Sequence, residues 1–122
     1  MLRIPEAPLH DAGYRQVRPS DVIAEKGLVL VDVRVSETEL LEDLGHVHGV
    51  RHVPAERLLA SGVDGVARDT PIVVICGDGR LSQKCATALV ATHGHTEVYH
   101  LVGGMVRWNA EERPVARNKT WT

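Results

Sequence analysis

Residues 71–82 read PIVVICGDGRLS and contain the change of local structure that decides the fold. Residues 72–75 are apolar and β-branched and are too few for a core helix, so they predict a strand buried on both faces. Gly77 and Gly79 permit a tight loop directly after that strand. The pattern that follows predicts a helix over residues 81–92. The segment therefore reads as a strand, a glycine-containing loop and a helix.

Strands and helices alternate along the rest of the chain. The other predicted strands cover residues 14–17, 28–33, 51–53 and 97–101, and the other predicted helices cover about 19–26, 36–44, 56–60 and 105–111. Such alternation predicts an α/β domain with a mostly parallel sheet covered by helices. Ligands of these folds bind beyond the carboxyl ends of the strands, and Cys76 lies at such an end.

Composition limits the classes of function. The 122 residues are 43% apolar and 25% charged, as expected of one globular domain. The net charge of −2 and the four aromatic side chains argue against nucleic acid or an anionic membrane as partner. We find no secretory signal and no apolar run of the ~20 residues that cross a bilayer. The expected setting is the cytoplasm, and the expected partner is a small molecule or another protein.

The chain has two cysteines, Cys76 and Cys85. A domain with its own apolar core needs no disulfide framework, so both are expected to be reduced thiols. Around Cys76, the loop and the start of the next helix should bring backbone N–H groups together, and these favour a thiolate. The alternative is that Cys76 is only a small apolar residue that ends a buried strand. The Gly-x-Gly and the following helix favour the nucleophile.

Four signatures occur in order along the chain. They are LVDVR at residues 30–34 with Glu37 and Glu39 behind it, GHVHGV at 45–50 with HVP at 52–54, the Cys76 loop, and LVGGMVRW at 101–108. Together they resemble the rhodanese-like sulfurtransferases. The resemblance divides the chain into an N-terminal arm at 1–13, a single rhodanese-like domain at 14–115 and a C-terminal tail at 116–122.

The resemblance implies a mostly parallel five-stranded sheet flanked by helices on both faces. It also implies that Cys76 takes sulfane sulfur from thiosulfate or a persulfide donor, becomes a persulfide, and passes the sulfur to a thiol or a cyanide-like acceptor. A protein could serve as donor or acceptor, and no cofactor is implied. The backbone of the active-site loop would hold the sulfur. The loop residues are Gly77, Asp78, Gly79, Arg80, Leu81 and Ser82.

The loop departs from the family pattern in its charges. Active members often carry arginines where Gly77 and Leu81 stand, and Arg80 is displaced by one position. Asp78 adds a carboxylate that opposes ionisation of Cys76, and Arg80 offsets part of that effect. We therefore expect weak activity with the dianion thiosulfate and better activity with a persulfide donor. The alternative is a non-catalytic rhodanese-fold module that binds a partner protein.

Two residues near the first buried strand are candidates for supporting roles. Asp32 either caps neighbouring backbone or orients the catalytic loop, and the first is the favoured interpretation. Arg34 is expected to pair with Glu37 or Glu39, with attraction of an anionic donor as the alternative.

Several other residues have a structural and a functional interpretation. Cys85 shares a predicted helix face with Leu81 and Leu89, so it is expected to be buried, with a resolving cysteine as the alternative. His46, His48 and His52 match no common zinc spacing, and we expect no metal. The pair at 103–104 lacks the longer glycine fingerprint of phosphate sites and predicts a close turn beside the Cys76 loop.

Overall fold

A computed structural model describes residues 2–35 and 44–117. The strands are β1 Arg15–Val17, β2 Val29–Asp32, β3 Arg51–His52, β4 Ile72–Ile75 and β5 Val98–Leu101. The helices are α1 Pro19–Ala24, α2 Ala55–Ser61, α3 Arg80–Ala91 and α4 Gly104–Ala110. The helix predicted over 36–44 lies almost wholly outside the described residues. Among the described residues, no helix combines the length and apolar content needed to cross a bilayer.

The strands form one five-stranded sheet in the order β1-β5-β4-β2-β3. Every neighbouring pair in the sheet is parallel. The predicted five-stranded sheet is therefore confirmed, and it is parallel throughout. Strand β4 lies at its centre, and its four residues are buried.

Alternate residues of β4 point into two separate apolar clusters. Ile72 and Val74 pack with Leu58 of α2 and Leu89 of α3 on one face. On the other face, Val73 and Ile75 pack with Val22 of α1 and with Met105 and Trp108 of α4. Both faces of the central strand are thus covered, which explains why its sequence is apolar without alternation. Helices flank the sheet on both faces, as predicted.

The connections place the carboxyl ends of β2 and β4 at a topological switch point. The chain leaves β2 toward β3 on one side, whereas it leaves β4 toward β5 on the other. Asp32 pairs in register with Ile75, so the residues that follow these two strands begin side by side. Open parallel sheets bind ligands where the connections diverge in this way. Cys76 is the first residue beyond β4 at this position.

Part of the N-terminal arm packs onto the sheet. Ile4 and Ala7 are buried in the second cluster, and the Ile4 N–H donates to the Tyr99 hydroxyl at 3.1 Å. The His10 ring stacks on Tyr14 with centroids 4.5 Å apart. Residues before the predicted domain therefore share its core.

Candidate active site

The sulfur of Cys76 is enclosed by the turn that begins α3. The Gly79 N–H donates to Cys76 Sγ at 3.0 Å and the Ser82 N–H donates to it at 3.3 Å. Gly79 is the N-cap of α3 and has φ of 96°, a left-handed conformation that glycine adopts without strain. This cap lets α3 begin at Arg80, one residue before the predicted start. Cys76 is only 1% exposed, so its sulfur faces these donors and not bulk solvent.

The Ser82 side chain adds a third contact to the sulfur. Its Oγ lies 3.3 Å from Cys76 Sγ and accepts from the thiol, while the Ser82 hydroxyl donates to the Gly79 carbonyl at 3.2 Å. Ser82 is fully buried. When the sulfur is ionised, rotation of the hydroxyl proton turns Ser82 Oγ into a donor to it. The sulfur therefore has two backbone donors and one adaptable hydroxyl within reach.

The N-terminus of α4 holds the start of the loop. The Met105 N–H donates to the Cys76 carbonyl and the Val106 N–H donates to the Gly77 carbonyl, each at 2.9 Å. Gly104 has φ of 56°, and a Cβ there would overlap both carbonyl oxygens. The close backbone turn predicted at Gly103 and Gly104, beside the Cys76 loop, is confirmed. Its position fixes the two peptides that follow the Cys76 side chain.

His100 contacts the same loop and was not among the predicted site residues. Its Nε2 lies 2.8 Å from the Gly79 carbonyl, its side chain is buried, and its ring meets Tyr14 edge-on. Burial lowers the pKa of His100, so the ring is neutral at neutral pH. Because a carbonyl only accepts, the protonated nitrogen is Nε2. The only signal in the sequence was a histidine inside the otherwise apolar residues 98–102.

The two charged side chains of the loop pair with each other. Arg80 Nη2 lies 2.7 Å from Asp78 Oδ2, and the Arg80 backbone N–H also donates to Asp78 Oδ1 at 3.0 Å. That backbone bond, followed by the guanidinium, lowers the pKa of Asp78. The carboxylate in turn raises the pKa of Arg80. Arg80 thus partners Asp78, as the sequence suggested, and the loop side chains sum to zero charge.

Asp32 and Arg34 form a buried ion pair beside the loop. Arg34 Nη2 lies 2.8 Å from Asp32 Oδ2, and the side chains are 4% and 0% exposed. Asp32 also accepts from the Arg34 N–H at 3.1 Å, so it caps neighbouring backbone as in the favoured interpretation. Arg34 also donates to the Gly45 carbonyl. The predicted pairing of Arg34 with Glu37 or Glu39 lies outside the described residues.

Cys85 is buried in the first apolar cluster with Leu89, so its predicted burial is confirmed. Both cysteines are free thiols. Burial, and then the neighbouring charge of Cys76, raises the pKa of Cys85 to about 11. Cys85 is therefore a neutral thiol at physiological pH and a poor nucleophile.

Two histidines of the second signature contact backbone elsewhere in the chain. The His46 backbone forms an antiparallel bridge with Ala116, and His52 Nε2 lies 2.6 Å from the Arg34 carbonyl. His48 is exposed. Within residues 2–35 and 44–117, no group of three or more His, Cys, Asp or Glu side chains is placed to hold a metal ion.

The protein has a parallel five-stranded sheet and a cysteine enclosed at the N-terminus of a helix. Comparison with known proteins shows which family shares these features. The family model for the rhodanese-like domain matches residues 20–111. The chain therefore belongs to the rhodanese-like domain family. The matched range includes Cys76, its loop, Asp32, Arg34 and His100.

Curated relatives support the same family. The chain is 30% identical over 99 residues to a thiosulfate sulfurtransferase GlpE of Pseudomonas fluorescens, covering 80% of this chain and 86% of the relative. A GlpE of another strain of that species is 33% identical over 97 residues, covering 78% and 84%.

Solved structures agree with the fold. A rhodanese homologue from Thermus thermophilus is 32% identical, with a TM-score of 0.59 over 76% of this chain and 99% of that one. A rhodanese-related protein from Thermoplasma volcanium is 24% identical, with a TM-score of 0.70 over 86% and 100%. The second likeness concerns the fold alone.

Proposed function

We propose that this protein is a sulfurtransferase that moves sulfane sulfur through a persulfide on Cys76. The observation that carries the proposal is the convergence of the Gly79 and Ser82 N–H groups on Cys76 Sγ, with the Ser82 hydroxyl 3.3 Å from the same atom and able to turn toward it. Donors aimed at one buried sulfur stabilise negative charge on it, and nucleophilic catalysis by cysteine needs the thiolate. A structural cysteine at a strand end has no need of this arrangement.

The first half-reaction loads the cysteine. The Cys76 thiolate attacks the outer sulfur of the donor, a new S–S bond forms, and the bond inside the donor breaks. With thiosulfate the bonding electron pair leaves on sulfite, and with a persulfide it leaves on a thiolate. Cys76 then carries one extra sulfur atom with the negative charge on its terminal atom. The reaction needs no oxidant, because the transferred sulfur is already at the sulfane oxidation level in the donor and one sulfur–sulfur bond replaces another.

The second half-reaction removes the extra sulfur from Cys76. A thiolate or cyanide attacks the terminal sulfur, takes that atom, and returns the electron pair to Cys76 as thiolate. Splitting one transfer into two displacements is the advantage of covalent catalysis. The loop donors serve both steps, since they stabilise a negative sulfur before loading and after unloading.

The names of the relatives support thiosulfate as one donor. The pairing of Arg80 with Asp78 supports a role for less highly charged donors such as persulfides, because it leaves no net positive charge on the loop side chains. A thiol, either small or on a protein, is the proposed acceptor in the cell, with cyanide as its laboratory equivalent.

Steady-state kinetics test the proposal. Thiocyanate formation from cyanide should follow ping-pong kinetics with either donor, because donor and acceptor never occupy the site together. Cys76→Ser should abolish turnover, whereas Cys85→Ala, which removes the other thiol, should retain it. A folded, reduced protein that forms no thiocyanate or transferred persulfide with either donor would favour the partner-binding module instead.

A further inference from the structure

The charged residues of the Cys76 loop carry an inference about which donors the site accepts. We propose, on the basis of the sulfurtransferase function above, that Asp78 determines donor specificity by disfavouring dianions. The donors it favours carry at most one negative charge at the sulfur-donating end, such as organic thiosulfonates and uncharged or singly charged persulfides. Asp78 does not contact the reacting sulfur in the described structure, so its effect is on selection and not on the displacement itself.

Asp78 accepts from the Arg80 guanidinium and from the Arg80 backbone N–H, two groups that would otherwise be available to a negatively charged donor. Its Oδ2 accepts from Arg80 Nε at 2.8 Å and its Oδ1 accepts from the Arg80 N–H at 3.0 Å. The first group is the only arginine side chain in the loop 77–82. The second is a backbone donor in the turn that supplies the Gly79 and Ser82 donors to Cys76 Sγ. The loop therefore neutralises with its own carboxylate part of the positive potential that it generates.

The pair is positioned so that it acts on an incoming molecule. Asp78 is 48% exposed and Arg80 is 89% exposed at their side chains, so both face the solvent from which a donor arrives. Because the pair sums to zero, the loop side chains give an incoming anion no net attraction. The attraction that Asp78 cancels would be twice as large for a dianion as for a monoanion, so its loss falls mainly on dianionic donors.

Two donors of similar chemistry isolate this effect. Thiosulfate and methanethiosulfonate both present a terminal sulfur bonded to an oxidised sulfur, but the first is a dianion and the second a monoanion. Loading Cys76 releases sulfite from one and methanesulfinate from the other. The measured quantity is kcat/KM for thiosulfate divided by kcat/KM for methanethiosulfonate, with cyanide as acceptor.

Asp78→Asn removes the charge and keeps an oxygen that accepts from the Arg80 N–H. We expect it to raise the ratio roughly three- to tenfold at low ionic strength, and we expect high salt to shrink that gain. Arg80→Gln should lower the ratio, because it leaves the carboxylate unpaired. The matched control is Asp69→Asn, which makes the same change in net charge before β4, at the opposite end of the strand from Cys76, and should leave the ratio unchanged.

The outcomes separate the two proposals. A ratio in Asp78→Asn equal to that of the parent, with both donors still loading Cys76, would overturn the specificity role of Asp78 and leave the sulfurtransferase function standing. A gain that is insensitive to salt would overturn the charge-based explanation. Failure of both donors to load Cys76 in every folded variant would overturn the sulfurtransferase function and this inference with it.

Discussion

Ser82 contacts Cys76 through two of its own atoms, since its backbone nitrogen and its hydroxyl oxygen each lie 3.3 Å from the cysteine sulfur. The same hydroxyl donates to the Gly79 carbonyl. One residue thus links the sulfur to the backbone of the loop that surrounds it. The hydroxyl donates most strongly to the sulfur when the sulfur is negative, which is the state in which it reacts.

Ser82→Ala removes the hydroxyl and keeps the backbone donor. We expect the first-order rate of Cys76 persulfide formation at saturating donor to fall roughly fivefold, the equivalent of one hydrogen bond worth about 1 kcal/mol. Rapid-quench sampling followed by mass spectrometry measures this rate. The exposed Ser61 at the end of α2 provides the control Ser61→Ala. Equal rates in the two variants would contradict a role for the hydroxyl.

The ion pair of Asp32 and Arg34 predicts a specific pattern of stabilities. Arg34→Met leaves a buried carboxylate without its guanidinium and should cost about 3 kcal/mol in the free energy of unfolding. Adding Asp32→Asn removes the stranded charge and keeps an acceptor for the Arg34 backbone N–H, so the double variant should recover at least half of the loss. Urea denaturation of the two single variants and the double variant measures the coupling. Additive losses would contradict a paired, buried interaction.

The contact of α4 with the loop makes Gly104 intolerant of a side chain. Gly104 and Gly49 both have positive φ, but a Cβ at Gly49 meets nothing within 4 Å whereas one at Gly104 overlaps the Cys76 and Gly77 carbonyls. Gly49→Ala should cost ~1 kcal/mol from backbone conformation alone. Gly104→Ala should cost several times more and should slow sulfur transfer in whatever protein remains folded. Thermal unfolding of the two variants, side by side, tests the difference, and equal costs would contradict the close approach.

His100 predicts a dependence of stability on pH. Burial lowers the pKa of His100 in the folded protein below its unfolded value, more than the bond to Gly79 raises it. The unfolded chain therefore binds the proton first, and stability is lost as pH falls below the unfolded value of about 6.5. His100→Gln retains an N–H donor for Gly79 and does not titrate. Between about pH 7 and pH 5, its free energy of unfolding should fall less steeply than that of the parent.

Urea denaturation across this range measures the slope. His48→Gln, which removes an imidazole from an exposed turn, is the control and should keep the slope of the parent protein. A His100→Gln variant with the parental slope would contradict a buried, neutral His100.

The sequence predicted the parts of this molecule that depend on local patterns. Residues 72–75 are apolar on both faces because helices cover both sides of β4, and that strand was predicted at its observed bounds. The start of α3 was missed by one residue because the left-handed cap at Gly79 is a matter of backbone geometry. The pairing of β1 with β5 joins residues more than 80 positions apart, and short-range patterns carry no register for it.

The site was predictable only in part for the same reason. Residues 76–82 are contiguous, so the cysteine, its loop and its helix were visible together in the sequence. His100 reaches the loop from β5, 21 residues beyond Gly79, and Ile4 reaches the sheet from the arm. Contacts of this kind arise from the order of strands in the sheet, and no spacing rule along the chain predicts them.

Transfer of sulfur to Cys76 is tested most directly by intact-protein mass spectrometry. The folded, reduced protein is exposed briefly to thiosulfate and, separately, to glutathione persulfide, alongside Cys76→Ser and Cys85→Ala. We predict a gain of one sulfur atom in the parent and in Cys85→Ala, its absence in Cys76→Ser, and its loss when cyanide is added. A gain of sulfur in Cys76→Ser, or no gain in the parent with either donor, would contradict sulfur transfer to Cys76.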